Sequence, residues 1–151
     1  MIGGAMSKKR ILFKINLPDE WQDQTVHTFM GPDDSGLQHM VTIIVDKDAG
    51  SYGLEEFARE RIDNVVDTMQ SIEVLKDEQK ELANGILVHE FVYRWIPTDN
   101  KVIFKKQVFM IIDGIGYTFS SDFTKKTLKT IAMQVEQMIN SFRPLDLPDE
   151  E

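Results

Sequence analysis

The sequence predicts a single α+β domain built on a twisted antiparallel sheet with two main helices. Three observations carry this. Short runs of alternating or β-branched residues recur along the chain. Tight-turn residues, with Asn84-Gly85 the strongest hairpin signal and Asp113-Gly114-Ile115-Gly116 a further turn, join strands as hairpins and so make their pairing antiparallel. Two longer segments instead repeat their apolar residues at helical spacing.

In order, Ile11 to Leu17 reads as a first strand, ended by Pro18, which has no N–H to give to a ladder. Gln24 to Met30 is a second, with Val26, Thr28 and Met30 on one face and Thr25, His27 and Phe29 on the other. Gly31 to Gly36 is a loop by composition, and His39 to Asp46 a β-branched third strand. Ser51 is placed to cap a helix whose first turn holds Glu55 and Glu56, with Leu54, Phe57, Ala58, Ile62, Val65, Val66 and Met69 as its apolar stripe. Four strands follow, over Ile72–Gln79, Ile86–Trp95, Lys101–Ile112 and Tyr117–Ser121. The last helix begins near Thr124, buries Leu128, Ile131, Ala132, Val135, Met138, Ile139 and Phe142, and stops at Pro144. The expected order is βββαββββα. Residues 1–7 read as a disordered or non-native extension, 8–145 as one domain and 146–151 as an acidic flexible tail.

A chain of 151 residues, 42% hydrophobic and 28% charged, buries a core without covalent staples. The absence of cysteine excludes a disulfide framework, thiolate metal sites and a cysteine nucleophile. A net charge of −8 argues against nucleic acid and against an anionic membrane surface as partners. No run reaches the roughly 20 apolar residues of a membrane span, so no direct membrane insertion is expected. Met1 to Met6 is too short for a signal core, and Lys8-Lys9-Arg10 follows rather than precedes it; a cytoplasmic protein is expected.

The residues give no catalytic constellation. Asp46-Lys47-Asp48-Ala49-Gly50 starts like a calcium loop, then places Ser51 where the loop needs glycine and Phe57 where it needs glutamate. Gly114-Ile115-Gly116 lacks a third glycine, since Phe119 stands there. His27, His39 and His89 fall on three separate strands. Glu90 reads as the solvent side of an alternating strand, near Arg94. We therefore expect no enzyme, no metal and no cofactor. What stands out is strand faces that mix apolar with uncharged polar residues, such as Val26 with Thr28 and Thr42 with Ile44, together with eight methionines, a side chain that suits adaptable surfaces and cores alike.

One run carries a family likeness. Leu17-Pro18-Asp19-Glu20-Trp21-Gln22-Asp23-Gln24, followed by Phe29, resembles the opening signature of the DcrB-like family and, more narrowly, of the Eag-type chaperones of type VI secretion systems. Ile43-Ile44-Val45-Asp46-Lys47-Asp48, Leu54 and Phe57, Gly85, Trp95, Gln107-Val108-Phe109, Gly116-Tyr117 and Ser141-Phe142-Arg143-Pro144 match further family positions in order, covering residues 10 to 145. The resemblance implies a PsbP-like fold and a homodimer with an apolar concave surface. It implies a cytoplasmic chaperone or adaptor that shields the N-terminal transmembrane helices of a PAAR/Rhs-type effector and assists its loading. The alternative within the broader group is an envelope or assembly factor with a non-catalytic binding role. Strand parity and the family match together nominate Val26, Thr28, Thr42, Ile44, Gln107 and Phe109 as the client-binding groove, with Trp21 as a structural anchor of its turn.

Overall fold

The computed structural model describes residues 13–21, 24–47, 49–97 and 101–145. The elements run β1 (Thr25–Asp34), β2 (Leu37–Asp46), α1 (Leu54–Thr68), β3 (Glu73–Glu81), β4 (Leu87–Trp95), β5 (Ile103–Ile112), β6 (Ile115–Phe123) and α2 (Ile131–Asn140). The six strands form one antiparallel sheet in the order β1-β2-β6-β5-β4-β3. A hairpin, β1-β2, thus docks on the end of a four-strand meander, and the α+β class expected from the hairpin turns is the one observed.

Turn chemistry sets the registers. Ser35-Gly36 (φ +58° and +81°) and Asp113-Gly114 (φ +53° and +80°) each hold two residues at positive φ, the two-residue turn that matches strand twist. The loop expected at Gly31–Gly36 is therefore only a two-residue turn. A register shift between Met30 and Asp33 absorbs Gly31-Pro32, and β1 continues to Asp34. Ile115 and Gly116, expected in a turn, belong to β6. The strand expected over Ile11–Leu17 does not form: Phe13 to Leu17 pair with nothing among the described residues, and Ile11 and Leu12 lie outside them. So do the expected extension (residues 1–7) and tail (146–151). Helix α1 follows Gly53 rather than a Ser51 cap, after a short 3-10 turn at Ala49–Ser51. A second 3-10 turn, Thr127–Lys129, precedes α2 and leaves Leu128 exposed.

The helices lie on opposite faces of the sheet. Ile131, Val135 and Ile139 of α2 pack over Val41, Val108, Met110, Tyr117, Phe119 and Phe123. Phe57, Ala58 and Ile62 of α1 pack over Phe91, Tyr93 and Phe109, with the Phe57 and Phe109 rings edge to face at 6.3 Å between centroids. The Phe57 ring lies directly against Gly116, where a methyl group would run into it. Gly116→Ala is therefore expected to lower stability by about 1–3 kcal/mol through overpacking. Urea denaturation checks this, and an unchanged midpoint would show that Phe57 can move aside.

Glu90 corrects its expectation. The α2 side of β4 is covered, so this carboxylate is 1% exposed rather than solvated. Lys106 Nζ meets it at 3.0 Å, Lys76 at 3.4 Å and Lys80 at 3.5 Å, and Lys106 also bonds Glu136 of α2 at 2.5 Å. Arg94, on the same face, pairs with Glu73 instead.

Candidate functional site

Register carries the candidate residues into adjacent cross-strand rows on the α1 side of the sheet. One row runs Thr28–Thr42–Ser120–Gln107–Phe91 and the next Val26–Ile44–Thr118–Phe109–His89. All six nominated residues thus share one face. They divide there by cover, because α1 packs on β4 and β5. Phe109 lies under it, 0% exposed and packed against Phe57 and the core, so it forms floor rather than open surface. Val26 is 51% exposed, Thr28 exposed, and Thr42, Ile44 and Gln107 half-buried. Met30 and Met40, paired in the next row outward, are also exposed.

Between α1 and the open strands lies a cleft of ≈ 270 Å³ lined by Ile44, Gln107, Phe109, Thr118, Arg61 and Val65, among others. Arg61 closes one end, bonding Asp46 at 2.6 Å while its guanidinium stacks 3.8 Å from the Phe57 ring centroid. Beyond the cleft, in the cross-strand row past Gln107 and Ser120, Lys105 faces Asp122 at 3.7 Å. Charge therefore stands at the borders of the open face and not along its two central rows. Burial pushes the neighbouring Tyr93 hydroxyl up to about 12, with the Asp122 charge adding to it, so this phenol stays neutral.

Gln107 gives the central rows of the face a well-defined polar contact. Its Nε2 donates to Ser120 Oγ at 3.1 Å, and its Oε1 is buried with no hydrogen-bond donor among the described residues. Gln107→Leu keeps the shape and removes an unsatisfied acceptor, so stability is expected to change by less than about 1 kcal/mol. Thermal melts check this; a loss of several degrees would make the amide a structural residue.

Other nominations resolve separately. The histidines are not brought together. His39 is buried on the α2 side, bonded to Pro32 O (3.0 Å) and Thr127 Oγ1 (2.9 Å), and His89 is buried on the α1 side against Asp77 (2.5 Å). Arg59 holds Asp77 from α1; its hydrogen bond outweighs burial and keeps that carboxyl below the ordinary range, with His89 assisting. No group of three or more His, Asp or Glu among the described residues is arranged to hold a metal. No helix among them is long and apolar enough to cross a membrane. Trp21 is 68% exposed, so its indole does not anchor the turn; its backbone N–H does, donating to Pro18 O at 3.1 Å. Ser120 and Thr118 were missed as site residues. Counting outward from a two-residue Asp113-Gly114 turn pairs Gln107 with Ser120 and Phe109 with Thr118, and that signal was in the sequence.

Comparison with known proteins supplies the family. Residues 14–141 match the model of the DcrB family. A Pseudomonas aeruginosa protein of unknown function, PA94, has a similar structure, with a TM-score of 0.69 and 17% identity over 88% of this chain and 92% of that one. LpqN of Mycobacterium tuberculosis, involved in cell envelope biogenesis, is more distant, with a TM-score of 0.52 and 9% identity over 78% and 80%. At such identities the likeness is one of fold. No curated protein sequence matches the chain.

Proposed function

This chain belongs to the DcrB family, and from that premise we propose that it is a non-catalytic chaperone or adaptor for an apolar client helix. In this reading the client is the N-terminal transmembrane region of a PAAR/Rhs-type effector of a type VI secretion system. The protein holds it in the cytoplasm as a homodimer until loading.

The observation that carries the reading is the helix-free, uncharged part of the α1-side face across β1, β2 and β6. Val26, Ile44, Met30 and Met40 supply apolar surface, and Thr28, Thr42 and Ser120 supply hydroxyls between them. Three strands span about 10 Å between outer axes, close to the roughly 10–12 Å diameter of a helix with its side chains. Transmembrane helices bear small and hydroxylated residues on their packing faces. The threonine row offers such residues hydrogen bonds while the flanking row gives apolar contact. An isolated membrane helix exposes more apolar surface than a soluble protein tolerates, so covering it prevents aggregation and premature insertion.

The test is co-purification of the effector's N-terminal segment, expressed with and without this protein. The reading expects a soluble stoichiometric complex that disappears when the apolar helix is deleted from the client. A segment equally soluble alone would remove the need for a chaperone. The second reading is an envelope or assembly factor with a non-catalytic binding role; the fold shared with LpqN favours it. Recovery of the native protein from the envelope fraction, bound to envelope components and no effector, would select that one.

A further inference from the structure

Phe13-Lys14-Ile15-Asn16-Leu17 alternates apolar and polar residues with the period of a strand. It pairs with nothing among the described residues, and Phe13 (70%), Ile15 (65%) and Leu17 (44%) are exposed. The sheet, meanwhile, ends in two differently built edges. β3 carries Glu73, Lys76, Asp77, Glu78, Lys80 and Glu81, with a register shift between Val74 and Lys76. Charge and irregularity of that kind repel an incoming strand. β1 is the other edge, and its Thr25–Met30 stretch has no Asp, Glu, Lys or Arg. Its outward N–H and C=O groups form an open ladder, flanked by exposed Val26 and Met30 on one face and exposed Phe29 on the other.

We propose that Phe13–Leu17 of one copy adds as an outer strand to the β1 edge of a second copy. Only an extended segment satisfies a row of strand N–H and C=O groups, and Phe13–Leu17 has a strand's alternation with no partner among the described residues. Each copy offers one segment and one edge, so reciprocal exchange closes as a two-fold dimer. Addition at the edge leaves the open α1-side face uncovered. The inference supplies the joint for the two-copy part of the reading above, and it stands or falls apart from the identity of the client.

The chain has no cysteine, so any disulfide reports an introduced pair. Full-length Ile15→Cys is mixed with tagged full-length variants Thr25→Cys, Val26→Cys, His27→Cys and Thr28→Cys in turn, oxidised and captured by the tag. The expected result is mixed disulfides at alternate β1 positions only. In parallel, the wild type is expected to sediment at twice its 17.4 kDa chain mass. Ile15→Asp is expected to sediment at one chain mass with an unchanged circular dichroism spectrum, since this residue is exposed in the single chain. Cross-linking without alternation, a wild-type monomer, or an Ile15→Asp dimer overturns the proposal. So does a chain bearing both cysteines that links within itself at a yield independent of dilution, because the segment then serves its own edge.

Discussion

Val26→Asp and Ile44→Asp are each expected to abolish retention of an apolar client helix while the protein stays folded. Val26 is 51% exposed, so a carboxylate there remains hydrated in the free protein. Ile44 is half-buried, and its replacement adds a negative charge on the strand that carries Asp46; about 1 kcal/mol of stability is expected to be lost there. In the complex both carboxylates are pressed against apolar side chains, and the one guanidinium lining the cleft beside Ile44, that of Arg61, is already engaged by Asp46. Burying an unpaired charge costs several kcal/mol. Retention should fall by at least about a hundredfold, the equivalent of about 3 kcal/mol. His27→Asp is the matched control, next to Val26 but on the opposite face. Co-purification with circular dichroism as the folding check separates the outcomes, and equal recovery by all three variants would remove the groove assignment.

Lys106→Met is expected to have the largest effect on stability. Its ammonium bridges the 1%-exposed Glu90 and Glu136 of α2, and its own side chain is only 17% exposed. Removing one partner of a buried pair typically costs about 3–5 kcal/mol, because the other charge is left unpaired. Lys76 and Lys80 still approach Glu90 at 3.4 and 3.5 Å, so the expected loss sits near the lower end, about 3 kcal/mol. Replacing both members, as Glu90→Leu with Lys106→Met, is expected to cost less than the single change. Urea melts of the three proteins check this; a double variant less stable than Lys106→Met would contradict the buried-charge argument.

The same cluster sets a pH dependence. Burial pushes the Glu90 and Glu136 carboxyls up, but the hydrogen bonds and charges of Lys106, with Lys80 and Lys76 assisting at Glu90, outweigh it and hold both below 4.5. Depressed carboxyls contribute stability that is present above 4.5 and lost as pH falls through their lower folded values. Burial lowers the Lys106 ammonium, yet Glu136 and Glu90 together raise it above 10.5, so its contribution is complete below 10.5 and lost as pH rises beyond. The cluster's contribution should be constant between those limits in the wild type, with a shallower acid limb in Lys106→Met. Melting temperatures across pH 3 to 11 read both.

The sequence showed strands, helices and faces wherever periodicity decides them. The apolar stripes of α1 and α2 hold at Phe57, Ala58 and Ile62 and at Ile131, Val135 and Ile139. Parity paired the candidates within β1, β2 and β5, and the register between strands, which parity does not contain, brings the three pairs onto one face. What parity does not contain is cover. Whether a helix lies over Phe109 or over Val26 depends on where α1 crosses the sheet, a tertiary property. Glu90 failed for the same reason, since alternation says that two faces differ and not that both are packed. Phe13–Leu17 has a strand's pattern without a strand's partner, because pairing needs an edge and alternation alone does not supply one.

The most direct test of the central claim, that the helix-free α1-side face receives the client, is site-specific photo-crosslinking. A benzophenone side chain at Thr42 looks out from that face; one at His27, on the neighbouring strand, looks out from the other. An adduct with the effector's apolar N-terminal helix is expected from Thr42 and none from His27. An adduct from His27 with none from Thr42 would put the client on the α2 side and contradict that claim.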